Sequence, residues 1–190
     1  MAVTAGGIKT ASDIAGVLVR LPWVYEHELG HIALADRAYA AAEMNAFLLT
    51  WLSELPCSIL NRPTPQCLFG PSWRQEKWIY IAAQLGIPVT QMCRAADFSR
   101  DLHSNIQQSS PGSIAVTVVG KRCLSCADQE LTSHALRLAL AANVELLTVF
   151  FTGSESGSKF LGASLWPDIT NEEIAEAILA YFARANKDAL

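Results

Sequence analysis

Residues 27–31 read His-Glu-Leu-Gly-His, an H-E-x-x-H string. On a helix, His27 and His31 stand four apart and share a face, so both imidazoles could bind one zinc ion. Glu28 would then sit beside the metal-bound water as general base. That chemistry is peptide hydrolysis, with zinc as its cofactor. A catalytic zinc takes three protein ligands and keeps one position for water. Glu43 lies twelve residues past His31, and a straight helix would carry it roughly 18 Å along the axis, out of reach of the metal. Glu54 and His103 are vaguer third ligands, and a turn near Ala35-Asp36 would have to fold the chain back. The competing expectation puts His27 and His31 on an exposed turn, with no catalytic residue and no metal or other cofactor assigned. On that view Glu28, His27, His31 and zinc stand as the alternative.

Cys123-Leu-Ser-Cys126 is a second string with metal or redox chemistry. A redox pair wants its first thiolate at a helix N-terminus, whereas these residues fall on an expected strand, with no second C-x-x-C to complete four ligands. A mixed site of His27, His31, Cys123 and Cys126 would need proximity in three dimensions, and packed cysteines are the simpler expectation. Asn61, Arg62, Arg74 and Lys77 cluster around a proline-rich loop and the start of a helix. They are the candidate contacts for an anionic ligand or a partner at a helix N-terminus. Tryptophans at 23, 51, 73, 78 and 166 are many for this length. Two or three sharing a surface would mark a protein–protein contact.

The elements that must position these residues follow from periodicity and punctuation. A strand is expected near 14–19, broken at Pro22. Asp36 is a plausible N-cap for a helix from Arg37 to about Glu54, with Tyr39, Ala42, Ala46, Leu49 and Leu52 at three- and four-residue steps on its buried face. Pro56 ends that helix. A short buried strand, Cys57 to Leu60, leads into the Asn61-Arg-Pro-Thr-Pro65 loop. Ser72 and Gln75 form a capping-box signature for a helix over 73–85, closed by Gly86 and Pro88. The polar stretch 98–112 is the expected linker. Beyond it, 114–119 and 122–126 read as a hairpin turning at Gly120-Lys121. A helix then starts at Thr132 or Ser133 and ends near Asn143. Strands follow at 144–151 and 159–163, around a turn at 153–158. Thr170 with Glu173 opens a C-terminal helix with Ile174, Ala177, Ile178 and Tyr181 inward.

The fold class is therefore α/β. Residues 1–97 form an α/β lobe, 98–112 a linker, and 113–190 an α+β lobe of hairpin, helix, hairpin and helix. The chain has 190 residues, 51% hydrophobic and 17% charged, enough to bury a sizeable core. A net charge of −4 supplies no general attraction for nucleic acid or anionic lipid. No apolar run reaches the roughly 18 residues of a membrane span. The first twenty residues carry Lys9 and Arg20 as their basic residues and lack a continuous apolar stretch, so no signal peptide is expected. Five cysteines in a chain of this size suit reduced thiols and a cytoplasmic setting.

Two blocks give the chain a family likeness. Residues 43–89 hold an acidic helix feeding a strand, the Asn61-Arg62-Pro63 loop, and a helix with Lys77 that closes on Gly86-Ile-Pro88. Residues 113–183 hold a V-x-V-V-G hairpin, a helix, a strand pair, a proline-containing turn and a final helix. In this the chain resembles the ATP-grasp carboxylate–amine ligases, their peptide-ligating branch above all: first the pre-ATP-grasp domain, then the end of the ATP-grasp domain. Between Pro88 and Gly112 there are about two dozen residues, where the family has a nucleotide-binding lobe. The family's magnesium motif, Glu-x-Asn-x-x-Pro, would end at Pro167, placing Ser164 at the Asn position and Gly162 at the Glu position. Magnesium needs hard anionic oxygens, and neither residue supplies one. The resemblance implies a non-catalytic accessory or interaction subunit for a peptide-modifying or biosynthetic ligase. Surfaces left by a lost lobe would be reburied in a homodimer or against another protein subunit. A ligase completed by a partner chain is the second alternative. More weakly, the H-E-L-G-H string with Glu43, Asn45 and Phe47 resembles the IrrE/ImmA-type metallopeptidases.

Overall fold

The computed structural model describes residues 2–4, 7–90, 112–125 and 128–188. The expected linker, apart from Gly112, lies outside the described residues, as do His103 and Cys126. The fold is mixed α/β, and packing divides the chain into two units, 1–72 with 175–190 and 73–174.

The first unit opens with a hairpin that carries no clear sequence signal, β1 (Ala2–Thr4) antiparallel to β2 (Gly7–Lys9). Strand β3 (Gly16–Leu18) then pairs in parallel with β4 (Ser58–Leu60), Val17 opposite Ile59. Parallel neighbours need a long crossover, and helix α1 (Arg37–Glu54) lies within it. Leu52, Leu55, Cys57, Ile59 and Leu68 form the core here, with Val17, Val19 and Trp23 against them. The buried stripe of α1 corrects the sequence expectation. Ala41, Asn45 and Leu52 are buried, whereas Tyr39, Ala42 and Ala46 are exposed. The helix is apolar almost all round, so its periodicity could not select the inner face. A remote polar contact selected it instead. The Asn45 side chain accepts a hydrogen bond from the Val24 N–H at 2.9 Å and donates to the Val24 carbonyl at 2.9 Å.

The second unit contains α2 (Gln75–Gln84), β5 (Ile114–Val119), β6 (Arg122–Leu124), α3 (Gln129–Ala142), β7 (Leu146–Phe151) and β8 (Phe160–Ser164). Its sheet is antiparallel throughout, in the order β6-β5-β7-β8. Both hairpins expected from the sequence are present, and the β5–β7 pairing joins them. The β5–β6 turn has two residues, with Gly120 at φ +60°, the left-handed conformation such turns favour. Val116, Val118, Leu147, Val149 and Phe151 of the sheet share a core with Trp78 and Ala82 of α2 and Leu131, Ala135 and Leu138 of α3.

Helix ends follow local chemistry, and three starts differ from expectation. At the end of α2, Ile87 N–H bonds the Ala82 carbonyl and Gly86 N–H bonds that of Ala83, with Gly86 at φ +70°, a Schellman closure. The start of α2 is capped by no side chain: Arg74 is the N-cap, and Gln75 instead donates to the Leu161 carbonyl. Helix α3 begins before Thr132, because the Asp128 carboxylate accepts the N–H groups of Glu130 at 2.9 Å and Leu131 at 3.0 Å. Helix α4 (Glu172–Asp188) takes Asn171 as its cap, the Asn171 side chain accepting Ile174 N–H at 3.3 Å. Thr170 is turned to Asp168 instead. Ile174, Ala177 and Ile178 of α4 are buried as expected. No helix among the described residues is long and apolar enough to cross a membrane.

Candidate functional site

The H-E-L-G-H string does not lie on an α-helix. Glu26–Glu28 is a single 3-10 turn, Leu29 leaves it at φ −91° and ψ 48°, and Gly30 and His31 form a further turn. His27 and His31 are exposed, and the buried residue of the string is Leu29, packed with Val24 and Ala41. The Glu28 carboxylate accepts the Tyr25 N–H at 2.9 Å, a backbone duty in place of a base's. The His27 ring stacks on Tyr25 at 5.5 Å and 21°. The Arg37 guanidinium donates to the Ile32 carbonyl at 2.8 Å and to the Gly30 carbonyl at 3.2 Å. Glu43 is exposed on α1, Asn45 is turned inward, and Phe47 is outward. Among the described residues no three His, Cys, Asp or Glu side chains are grouped to hold a metal ion.

Asn61, Arg62, Arg74 and Lys77 are adjacent in sequence but belong to different packing units. Asn61 is buried and Arg62 exposed in the first. Arg74 and Lys77 are exposed in the second, at the cap and first turn of α2. Lys77 Nζ lies 4.1 Å from the centre of the Trp73 ring, and that ring tilts against Trp78 at 4.7 Å. A cation over an aromatic face at an exposed site contributes about 0.5–1 kcal/mol, so this ammonium already has a use. Trp78 is buried, Trp73 half-buried and Trp166 exposed. Cys123 is half-buried on β6, its thiol directed at the Thr132 carbonyl at 3.8 Å.

The positions aligned with a magnesium motif lie on and just after β8. Gly162 is buried opposite Phe150, and the Ser164 hydroxyl accepts the Trp166 N–H at 3.1 Å.

Two groups on α3 carry perturbed chemistry that the sequence reading passed over. His134 is 6% exposed, its Nδ1 has no hydrogen-bond partner, and its Nε2 is 3.9 Å from Glu130. Burial pushes its pKa below the usual value, with Arg137 adding to that and the Glu130 and Asp128 carboxylates opposing it. Asp128 is held below the usual carboxylate range, chiefly by the Leu131 N–H and next by the Ser156 hydroxyl. The i, i+4 pair Glu130–His134 and an Asp ahead of an apolar period were the available signals. Both are ordinary in surface helices.

No protein-family model matches the chain, and no curated protein matches it significantly. Among solved structures, the chain is similar to the crystal structure of macrocyclase MdnB from Microcystis aeruginosa MRC, at 13% identity and a TM-score of 0.44, over 90% of this chain and 71% of that one.

Proposed function

We propose that this protein is a truncated ATP-grasp-like chain acting without catalysis of its own, as an accessory or interaction subunit for a peptide-modifying or biosynthetic ligase. The order β5, β6, α3, β7, β8, α4 is consistent with the end of an ATP-grasp domain. The observation that carries the non-catalytic reading is on β8. On the alignment that the resemblance implies, a buried glycine, Gly162, falls at the position of the family's magnesium carboxylate, and the Ser164 hydroxyl at the Asn position accepts the Trp166 N–H. Neither residue offers the anionic oxygen that magnesium selects. Exposed apolar residues support a partner: Tyr39 is 71% and Phe47 65% exposed on α1. Large apolar side chains on an outer helix face suit a protein contact.

Titration calorimetry of the chain with Mg-ATP tests this reading. No measurable heat of binding is expected at millimolar nucleotide, and tight binding by the isolated chain would overturn the proposal.

A further inference from the structure

The first unit carries an open cleft of about 380 Å³ between the last turns of α1 and the proline-rich loop. Leu49, Thr50, Ser53 and Glu54 line its helix side, and Pro63, Thr64 and Pro65 its loop side. The volume is in the range of ligand sites. What distinguishes it is the hydrogen-bond account of its walls.

Each lining donor is already committed. The Thr50 hydroxyl lies 3.0 Å from the Ala46 carbonyl and the Ser53 hydroxyl 2.7 Å from that of Leu49. The Thr64 hydroxyl faces the Cys67 carbonyl at 3.3 Å and that of Gly70 at 3.1 Å. A carbonyl only accepts, so in every case the hydroxyl hydrogen is spent and the oxygen lone pairs remain. The four helix residues use their N–H groups within α1, and Thr64 N–H bonds the Cys67 carbonyl at 2.9 Å. Pro63 and Pro65 have no N–H. The cleft therefore accepts hydrogen bonds and donates none.

Its electrostatics have the same sign. The cleft lies at the C-terminal end of an 18-residue helix, the negative end of the dipole, and the last turn of α1 holds no basic residue. Glu54 adds a carboxylate there and has no basic partner among the described residues. Leu49, Pro63 and Pro65 supply apolar wall that suits a methylene stem.

We infer that this cleft binds the lysine or arginine side chain of a peptide: a cationic donor head among acceptors, its stem against the prolines. The mouth is open, so a peptide backbone can stay outside while its side chain enters. The inference does not depend on the ATP-grasp reading, and its test uses no nucleotide.

The test is an NMR titration of the full chain, following backbone amides, with acetyl-Ala-Lys-Ala-amide, its norleucine analogue, and n-butylammonium. The lysine peptide is expected to shift the amides of Ser53, Glu54 and Thr64, and the norleucine peptide to bind at least about tenfold more weakly, the loss of one charge-assisted hydrogen bond. Glu54→Gln should weaken the lysine peptide by a similar factor with the circular dichroism spectrum unchanged, while Glu43→Gln, on the exposed face of the same helix, leaves it unaltered. Equal binding of the norleucine peptide, an unaffected Glu54→Gln variant, or shifts confined to other residues would each overturn the assignment. So would n-butylammonium binding as tightly as the lysine peptide, which would make the ligand a free amine.

Discussion

At the scale of single residues, Asn45 shows how one polar side chain orients an otherwise ambiguous helix. It is 1% exposed, and its carboxamide makes three hydrogen bonds, two to Val24 and one to the Ala41 carbonyl at 2.8 Å. Asn45→Leu would keep the branching and heavy-atom count but leave the Val24 N–H and carbonyl buried without partners. We expect a loss of about 1–3 kcal/mol in urea unfolding. Tyr39→Ala, on the face that sequence periodicity had marked as buried, should change stability by less than about 0.5 kcal/mol. The reverse ranking would restore the sequence-based face. The sequence could not reveal the role of Asn45, because a polar residue in a helix reads as outward unless its acceptor is known. Here that partner is a backbone segment twenty-one residues away. The residues of the H-E-L-G-H string are a parallel case: their types suit zinc on a helix, whereas here they lie on turns.

At the scale of elements, termini were legible where one residue alone could act. Pro56 follows the end of α1 and Gly86 closes α2, because proline and left-handed glycine limit the backbone whatever surrounds them; Asp36 does precede α1, but its side chain makes no capping hydrogen bond. Starts with several competing caps were not legible. Asp128, Thr132 and Ser133 are all competent for α3, and it is the Asp128 carboxylate that accepts the first N–H groups, those of Glu130 and Leu131. Packing between elements makes a sharper test at Gly16 of β3. A Cβ there would fall within the ring of Phe182 on α4, so glycine is required by the close approach. Gly16→Ala should lower stability by about 1–3 kcal/mol through overpacking. Phe182→Leu, itself destabilising alone, should recover part of that loss in the double variant, read as a coupling energy from thermal unfolding. Strict additivity of the two changes would refute the contact.

At the scale of the whole molecule, the shifted groups set the pH range of stability. His134 has its pKa lowered from 6.5 by burial, so below that value the unfolded state binds a proton that the folded state resists, and stability falls as the solution is acidified. Asp13 and Asp128 are lowered from 3.8 by hydrogen bonds, to Thr10 in the first case and chiefly to Leu131 in the second, and add a further loss at lower pH as they become protonated. Cys67 is raised from 9.0 by burial, so stability is lost again as pH rises beyond that value. Melting temperature should thus be highest between about pH 6.5 and 9. A His134→Phe variant should flatten the limb between pH 6.5 and 5; an unchanged limb would show that His134 does not set it.

The sequence by itself determined the α/β class, the two hairpins of the second half, the chain order of the helices and several of their ends. All of these rest on side-chain period, turn residues and backbone restriction within a few residues. Tertiary structure alone decided that β3 and β4 run parallel, that β5 and β7 join two hairpins into one sheet, which face of α1 is buried, and that residues 27–31 form turns. Each of these goes with a contact between separated parts of the chain: Val17 beside Ile59, Val116 beside Val149, Asn45 on Val24, and Leu29 packed with Ala41. A one-dimensional pattern does not contain such contacts, because they exist only once the chain has closed on itself.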